Sequence, residues 1–163
     1  PAVLAEADLA DLLRQLADTC TGRTGMPVAL SVSGDCDLPE DVHLALYRIA
    51  QEALNNVVKH ARAQHVAVSL HCRPANGLDG APLVRIELTI ADDGAGFDQA
   101  QVPPDHLGLG IIRERAQAIG ADLAIVSQPG QGTTVRVAWP DPRRTVVAGT
   151  QRNADKVAQT GGN

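Results

Sequence analysis

An α/β fold is predicted, and three features of the chain predict it. Apolar residues recur at three- and four-residue steps in three separate stretches, which is the period of a helix with one packed face. Between and after them lie about five stretches in which apolar and polar residues alternate, as in half-buried strands. Hydrophobic residues make up 44% of the 163 residues and aromatics only 2%. The core is therefore built from Leu, Val, Ile and Ala, with Phe97, Tyr47 and Trp139 each alone of its kind.

The elements follow in order. From Leu4 to Ala17, Leu9, Leu12, Leu13 and Leu16 share one face, so an amphipathic helix is expected, stopped by Gly22 to Gly25. Val28 to Ser33 alternates as a strand and ends in the turn that starts at Gly34. Pro39 then opens a long helix in its first turn, where a missing N–H costs nothing and Glu40 and Asp41 suit the positive end of the dipole. Leu46, Ile49, Ala50, Ala53, Leu54 and Val57 give that helix its packed face, and it should reach about Arg62. His65 to Cys72 alternates again, and Pro74 to Pro82 is a turn-forming loop before the strand from Val84 to Ala91. That pair reads as a hairpin with a long connection. Phe97 to Leu107 has no period and reads as a loop. Leu109, Ile112, Ala116 and Ile119 mark a third helix, closed by Gly120. Leu123 to Ser127 and Thr133 to Trp139 form a second hairpin around the turn from Gln128 to Gly132.

This length suits one domain with a buried core, expected over residues 1–140. The polar residues 141–163 after Pro140 read as a disordered tail. A formal net charge of -5 argues against a broad nucleic-acid footprint. Cys20, Cys36 and Cys72 are odd in number and form no C-x-x-C pair, so neither a disulfide framework nor a zinc site is expected, in keeping with a reducing cytoplasm. No apolar run approaches a membrane span and no signal peptide is visible, so the chain is expected to be soluble.

Several polar residues sit where chemistry could use them. On the long helix, Glu52, Asn56, Lys59 and His60 fall on a polar face beside the packed one. A carboxylate one turn before a carboxamide, with a cation beyond, can polarise a proton, ligate a hard metal through oxygen and steady a polyphosphate. The same residues are also what any amphipathic helix exposes. Asp92 ends a strand and runs into Gly94 and Gly96, glycines that let backbone pass close to a ligand. Its carboxylate can accept from an exocyclic amine, although Asp-Gly turns are common. Gly108 and Gly110 stand at a helix start, where free N–H groups can meet phosphates or simply cap the helix. Thr133 follows Gly132 at the start of a strand.

In this order and spacing the pieces resemble the N, G1 and G2 boxes of the ATP-binding domain shared by sensor histidine kinases, DNA gyrase, Hsp90 and MutL. Glu52-x-x-x-Asn56 with Lys59-His60-Ala61, Asp92-x-Gly94-x-Gly96, Gly108-Leu109-Gly110 and Gly132-Thr133 carry the resemblance. It runs from about Leu9 to Pro140 and is closest to the histidine-kinase branch that includes the bacterial nitrate sensors. It implies a Bergerat-type two-layer α/β sandwich, a mixed sheet with helices on one face. It further implies that Asn56 ligates Mg2+ on the phosphates of ATP, Lys59 offsets phosphate charge, and Asp92 and Thr133 hold adenine. Gly108 to Gly110 would let a lid, the loop from Phe97 to Leu107, approach the phosphates, and His60, Gly94, Gly96 and Leu109 would complete the nucleotide contacts. Glu52 would be the catalytic residue, as general base or orienting group for an attacking imidazole.

None of His43, His60, His65, His71 and His106 has the setting of a phosphoacceptor histidine. The resemblance therefore implies a catalytic domain whose partners are separate dimerisation and phosphoacceptor helices of the same kinase and, through them, a response regulator. It would be monomeric alone, cytoplasmic, at most the cytoplasmic end of a membrane-bound sensor, and unable to phosphorylate itself. The alternatives that share the fold are a serine kinase of the anti-sigma-factor type and a pseudokinase kept as an interaction module.

Overall fold

The first helix, α1 (Leu9–Thr24), starts at Asp8, whose carboxylate accepts from the Ala10 N–H at 2.7 Å and satisfies one of the free donors of the first turn. The computed structural model to which this belongs describes residues 7–77 and 80–140. The expected start at Leu4 and the expected tail 141–163 lie outside those residues. α1 runs through Gly22 and ends at Gly25, the last residue of the expected stop, which is left-handed at φ 72° and donates to the Thr21 carbonyl. A glycine inside a helix costs about 1 kcal/mol, and burial of Leu9, Leu12, Leu13, Ala17 and Cys20 along one face outweighs it.

β1 (Val28–Ser33) follows as expected. The loop after it swings over the end of the neighbouring strand, and here a sequence expectation fails: Cys36 and Cys72 form a disulfide with Cα atoms 5.4 Å apart. Thirty-six residues separate them in sequence, so their meeting depends on the parallel pairing of β1 with β2 and has no local signature. The cysteine argument for a reducing compartment falls with it. Cys20 is free and buried.

The long helix α2 (Glu40–Asn56) has Pro39 at its N-cap, one position before the expected first turn, with the Pro39 carbonyl accepting from His43 at 2.9 Å. Its buried side includes Val42, Leu46, Ile49, Ala50, Ala53 and Leu54. The extension towards Arg62 exists but changes form: Val57–Ala61 is a π-helical turn, and Arg62 closes it at φ 49°. The Val57 N–H still reaches the Ala53 and Leu54 carbonyls, four and three residues back, so the change of form begins after it. The wider turn keeps Val57 and Ala61 in the core while Lys59 and His60 stay exposed.

β2 (Val66–Asn76) and β3 (Pro82–Asp92) form a longer hairpin than expected, because β2 continues through Pro74. Proline is tolerated there since β1 stops opposite His71, leaving that end of β2 without a neighbour on the β1 side. A single 3₁₀ turn, His106–Gly108, leads into α3 (Leu109–Ala118), and β4 (Asp122–Ser127) and β5 (Thr133–Trp139) close the chain as a hairpin. The sheet order is β1-β2-β3-β5-β4, with β1 parallel to β2 and every other pair antiparallel. Val66, Val68 and Leu70, then Ile86, Leu88 and Ile90, then Val135 and Val137 alternate onto one face and pack with the buried sides of the helices. The architecture is the expected mixed sheet with helices on one face. Each fully buried aliphatic such as Leu46, Leu70 or Ile112 contributes roughly 1.5–3 kcal/mol.

One exposed clamp ties the end of the π turn to the sheet. The Asp93 carboxylate accepts from the Gln64 and His65 N–H groups at 2.7 and 2.8 Å and faces His65 Nδ1 at 2.7 Å. Those bonds, the His65 backbone donor foremost, hold the Asp93 carboxyl down at about 2 from its ordinary 3.8. A depressed carboxyl stabilises the fold above the unfolded value and loses that contribution as pH falls through the folded one. Urea unfolding measured from pH 4 down to pH 2 is therefore expected to show a steeper stability loss in the parent than in Asp93→Asn; equal slopes would remove the clamp. A second prediction concerns the β4–β5 turn, where Gly130 and Gly132 are both left-handed, at φ 76° and 73°. A Cβ at Gly130 meets nothing within 4 Å, whereas at Gly132 it would lie 1.9 Å from the Asp92 carbonyl oxygen. Gly130→Ala should cost about 1–2 kcal/mol in thermal melting, and Gly132→Ala clearly more, because backbone has to move.

Candidate functional site

Where the C-terminal ends of α2 and β3 meet the start of β5, the fold leaves an open cavity. Ala53, Asn56 and Val57 line it from α2, His60 and Ala61 from the π turn, Ile90 and Asp92 from β3, and Thr133 and Val135 from β5. Gly96, Phe97, Leu107 and Leu109 close it from the loop side. Its walls are mostly aliphatic, with polar groups gathered at a few points, which is how a site for a flat, mostly apolar ligand is built.

The polar end is formed by Asp92 and Thr133, directly paired across β3 and β5. The Asp92 carboxylate accepts from the Gly94 N–H at 2.9 Å. Burial pushes its carboxyl up, while the backbone N–H groups of Gly94 and Thr133 pull it back, and the neighbouring Asp93 charge adds to the rise. The carboxylate is thus partly stripped of water without full compensation, and a donor on a ligand would stabilise it.

The loop after Asp92 is pinned to the helix side. Ala95 donates to the Ala61 carbonyl at 2.6 Å, and Gly130 donates to the Ala95 carbonyl at 2.6 Å. Gly94 is buried on that same carbonyl, so close that a Cβ would lie 2.2 Å from it. Gly96 packs equally tightly on the Gln128 carbonyl, at 2.0 Å by the same measure.

Glu52 and Asn56 lie one turn apart on α2, and the segment before α3 rests on both. Asn56 Nδ2 donates to the Leu107 carbonyl at 2.5 Å, and Gly108 packs over the Glu52 carboxylate, within 2.0 Å of Oε1 for an added Cβ. Leu107 is left-handed there, at φ 56°. Arg113 of α3 donates to the Pro104 carbonyl, holding the loop from the other side.

Of the residues singled out from sequence, Asn56, His60, Asp92, Gly96, Leu109 and Thr133 line the cavity. Gly94, Glu52 and Gly108 stand just behind or above it through the contacts given. Gly110 packs against Asp105, and Lys59 is exposed, off the cavity wall. Sequence reasoning missed Ser127, which is buried and bonded to Phe97, Gly132 and Thr133. The hairpin register that opposes Ser127 to Thr133 was its available signal. The apolar walls Ile90, Val135, Phe97 and Leu107 were also missed, because their role depends on which elements meet. Among the described residues no cluster of three or more His, Cys, Asp or Glu side chains could hold a metal.

The relatives of this chain agree with the geometry. Residues 41–143 match the family model described as "Histidine kinase-, DNA gyrase B-, and HSP90-like ATPase". Over 141 residues the chain is 35% identical to the nitrate/nitrite sensor protein NarQ of Escherichia coli, an overlap of 83% of this chain and 23% of that protein. It is 31% identical over 140 residues to the sensor histidine kinase LiaS of Bacillus subtilis, covering 86% of this chain and 36% of that one. The chain thus spans about a quarter to a third of the length of these relatives. Among solved structures, the histidine kinase domain of the Erythrobacter litoralis EL346 blue-light activated histidine kinase shares the fold with a TM-score of 0.60 at 24% identity, covering 85% of this chain and 63% of that one. Full-length ShkA in complex with AMPPNP is similar with a TM-score of 0.56 at 26% identity, covering 82% of this chain and 30% of that one. No helix among the described residues is long and apolar enough to cross a membrane. The chain belongs to the histidine kinase-, DNA gyrase B- and HSP90-like ATPase family, as a catalytic ATP-binding domain of the sensor histidine kinase type.

Proposed function

We propose that this domain binds ATP with Mg2+ in the cavity between α2, β3 and β5 and, within a longer kinase, delivers the γ-phosphate to a histidine on separate dimerisation helices. The observation that carries the reading is the Asp92–Thr133 pair at the polar end of an otherwise apolar cavity. Two acceptors side by side suit the exocyclic amine of adenine, and Ile90, Val135, Phe97 and Leu107 suit its faces. A relative in fold was solved with the ATP analogue AMPPNP, which is consistent with the assignment.

The helix α2 then carries the phosphoryl chemistry. Asn56 is the single protein ligand we assign to Mg2+, whose remaining positions belong to phosphates and water, as is common for a cation that dehydrates reluctantly. Bound there, the ion would neutralise charge on the β- and γ-phosphates. Glu52, one turn earlier on a rigid helix, is assigned to accept the proton from, or orient, the attacking imidazole. Lys59 and His60 contribute positive or donor character at the phosphate end. For Lys59 this requires the exposed side chain to swing over the cavity mouth.

The segment from Phe97 to Gly110 is assigned as the lid. Its bond to Asn56 is made by the amide nitrogen Nδ2, which leaves Oδ1 as the atom assigned to the metal, so one carboxamide can hold the lid and the ion together. Gly108, Leu109 and Gly110 would then present backbone at the start of α3 to the phosphates. The catalytic unit is taken as residues 1–140 with 141–163 as a tail. Its proposed partners are the phosphoacceptor helices and a response regulator, its setting the cytoplasm, where ATP is supplied.

Calorimetric titration of Mg2+ and ATP into the chain tests the pocket. Binding is expected in the parent and about tenfold weaker or worse in Asp92→Asn, since bonds to a charged acceptor are worth roughly 1.5–3 kcal/mol. Undiminished binding by the variant would remove Asp92 from the site. Glu52→Gln should bind ATP within about threefold of the parent. With the phosphoacceptor helices restored, its transfer rate should fall by about 10²–10⁴. Equal loss of binding and transfer would contradict the role given to Glu52, and self-phosphorylation of the isolated chain would contradict the need for the helices.

A further inference from the structure

Ser127 is 5% exposed and lies behind the cavity wall, where three hydrogen-bond partners meet at its one oxygen. Its Oγ donates to the Gly132 carbonyl at 2.9 Å. It accepts from the Phe97 N–H at 2.9 Å, and the Thr133 hydroxyl lies 2.9 Å away. A serine hydroxyl has one proton and two lone pairs. Because the proton is committed to Gly132, which as a carbonyl can only accept, the Thr133 bond can run in one direction alone. Thr133 donates and Ser127 accepts. The accounting then closes, with one bond given and two received.

The consequence lies on the other side of Thr133. Its proton is turned away from the cavity, so what it shows a ligand is lone pairs. Asp92, directly opposite in the β3–β5 register, is also an acceptor. The polar end of the cavity is thereby matched to a donor on the ligand and mismatched to a carbonyl at the same place. We propose that Ser127 is a positioning residue for base selection: by holding the Thr133 proton it makes the site prefer a 6-amino purine over a 6-oxo purine. This rests on the nucleotide reading above and adds to it a residue and a mechanism of selectivity. The bond from Phe97 serves the same end, since it ties the last residue of the glycine loop to the oxygen that orients Thr133.

The test compares binding of ATP, inosine triphosphate and inorganic tripolyphosphate, each with Mg2+, to the parent, Ser127→Ala, Thr133→Ala and the double variant. Inosine triphosphate differs from ATP at the purine six-position, with the accompanying N1 proton, and tripolyphosphate lacks the base. The parent should favour ATP over inosine triphosphate. Ser127→Ala should shrink that preference about tenfold, leave tripolyphosphate binding unchanged, and have no further effect on the preference when Thr133 is already alanine. Parallel loss for both nucleotides, additive loss in the double variant, or equal binding of the two nucleotides by the parent would overturn the inference. Should Ser127→Ala melt below the assay temperature, Ser127→Cys, which keeps the side-chain shape with a poor acceptor, carries the same comparison. A parent that binds no nucleotide at all would overturn the ATP reading itself, an outcome distinct from a parent whose preference ignores Ser127.

Discussion

The site depends on one backbone bond, from the Ala95 N–H to the Ala61 carbonyl at 2.6 Å. It fastens the loop that leaves β3 to the last turn of the long helix, and thereby sets Asp92 at a fixed place relative to Asn56 and His60. Nothing with a side chain can stand at Gly94 while that bond is made, because a Cβ would fall 2.2 Å from the Ala61 oxygen. The π-helical form of Val57–Ala61 belongs to the same constraint. Widening the last turn leaves Val57 and Ala61 buried and delivers the Ala61 carbonyl to the loop.

From that junction the polar contacts spread in two directions. Towards the sheet, Gly130 donates to the Ala95 carbonyl and Ser127 gathers Phe97, Gly132 and Thr133, so the β4–β5 hairpin is held to the same loop. Towards α3, Asn56 takes the Leu107 carbonyl and Glu52 lies beneath Gly108. The first set is buried and mutually satisfied, which makes it rigid. The second is partly exposed, and each of its contacts could be exchanged for a ligand group at small cost. Under the function proposed above, the first set would make a stiff base-recognising end and the second an exchangeable phosphate end.

The relatives of this chain are much longer proteins, and the domain has the properties of a module within them. Asn56, His60, Asp92 and Thr133 all face one cavity, where the ends of α2 and β3 meet the start of β5. Under the function proposed above, such a module would suit phosphoryl transfer, where the protein mainly positions reactants and stabilises charge. One domain can hold the nucleotide in place while another brings the nucleophile.

Local sequence determined most of the elements. Helical spacing marked α2 and α3, alternation marked the five strands, and Asp92-x-Gly94-x-Gly96 with Gly132-Thr133 marked the ends of β3 and the start of β5. Those signals are local because periodicity and turn chemistry act between near neighbours. Boundaries were less secure: α1 passed through Gly22 because burial of its apolar face outweighed a glycine penalty, and β2 passed through Pro74 because its neighbour had already ended. What only tertiary structure decided were relations between distant residues. Cys36 met Cys72 through the β1–β2 pairing, Asp93 clamped His65, Lys59 was left off the cavity wall, and Ser127 turned the Thr133 hydroxyl. Each depends on distances across the sheet or between loop and helix, and a sequence expresses such distances only through the packing of the whole chain.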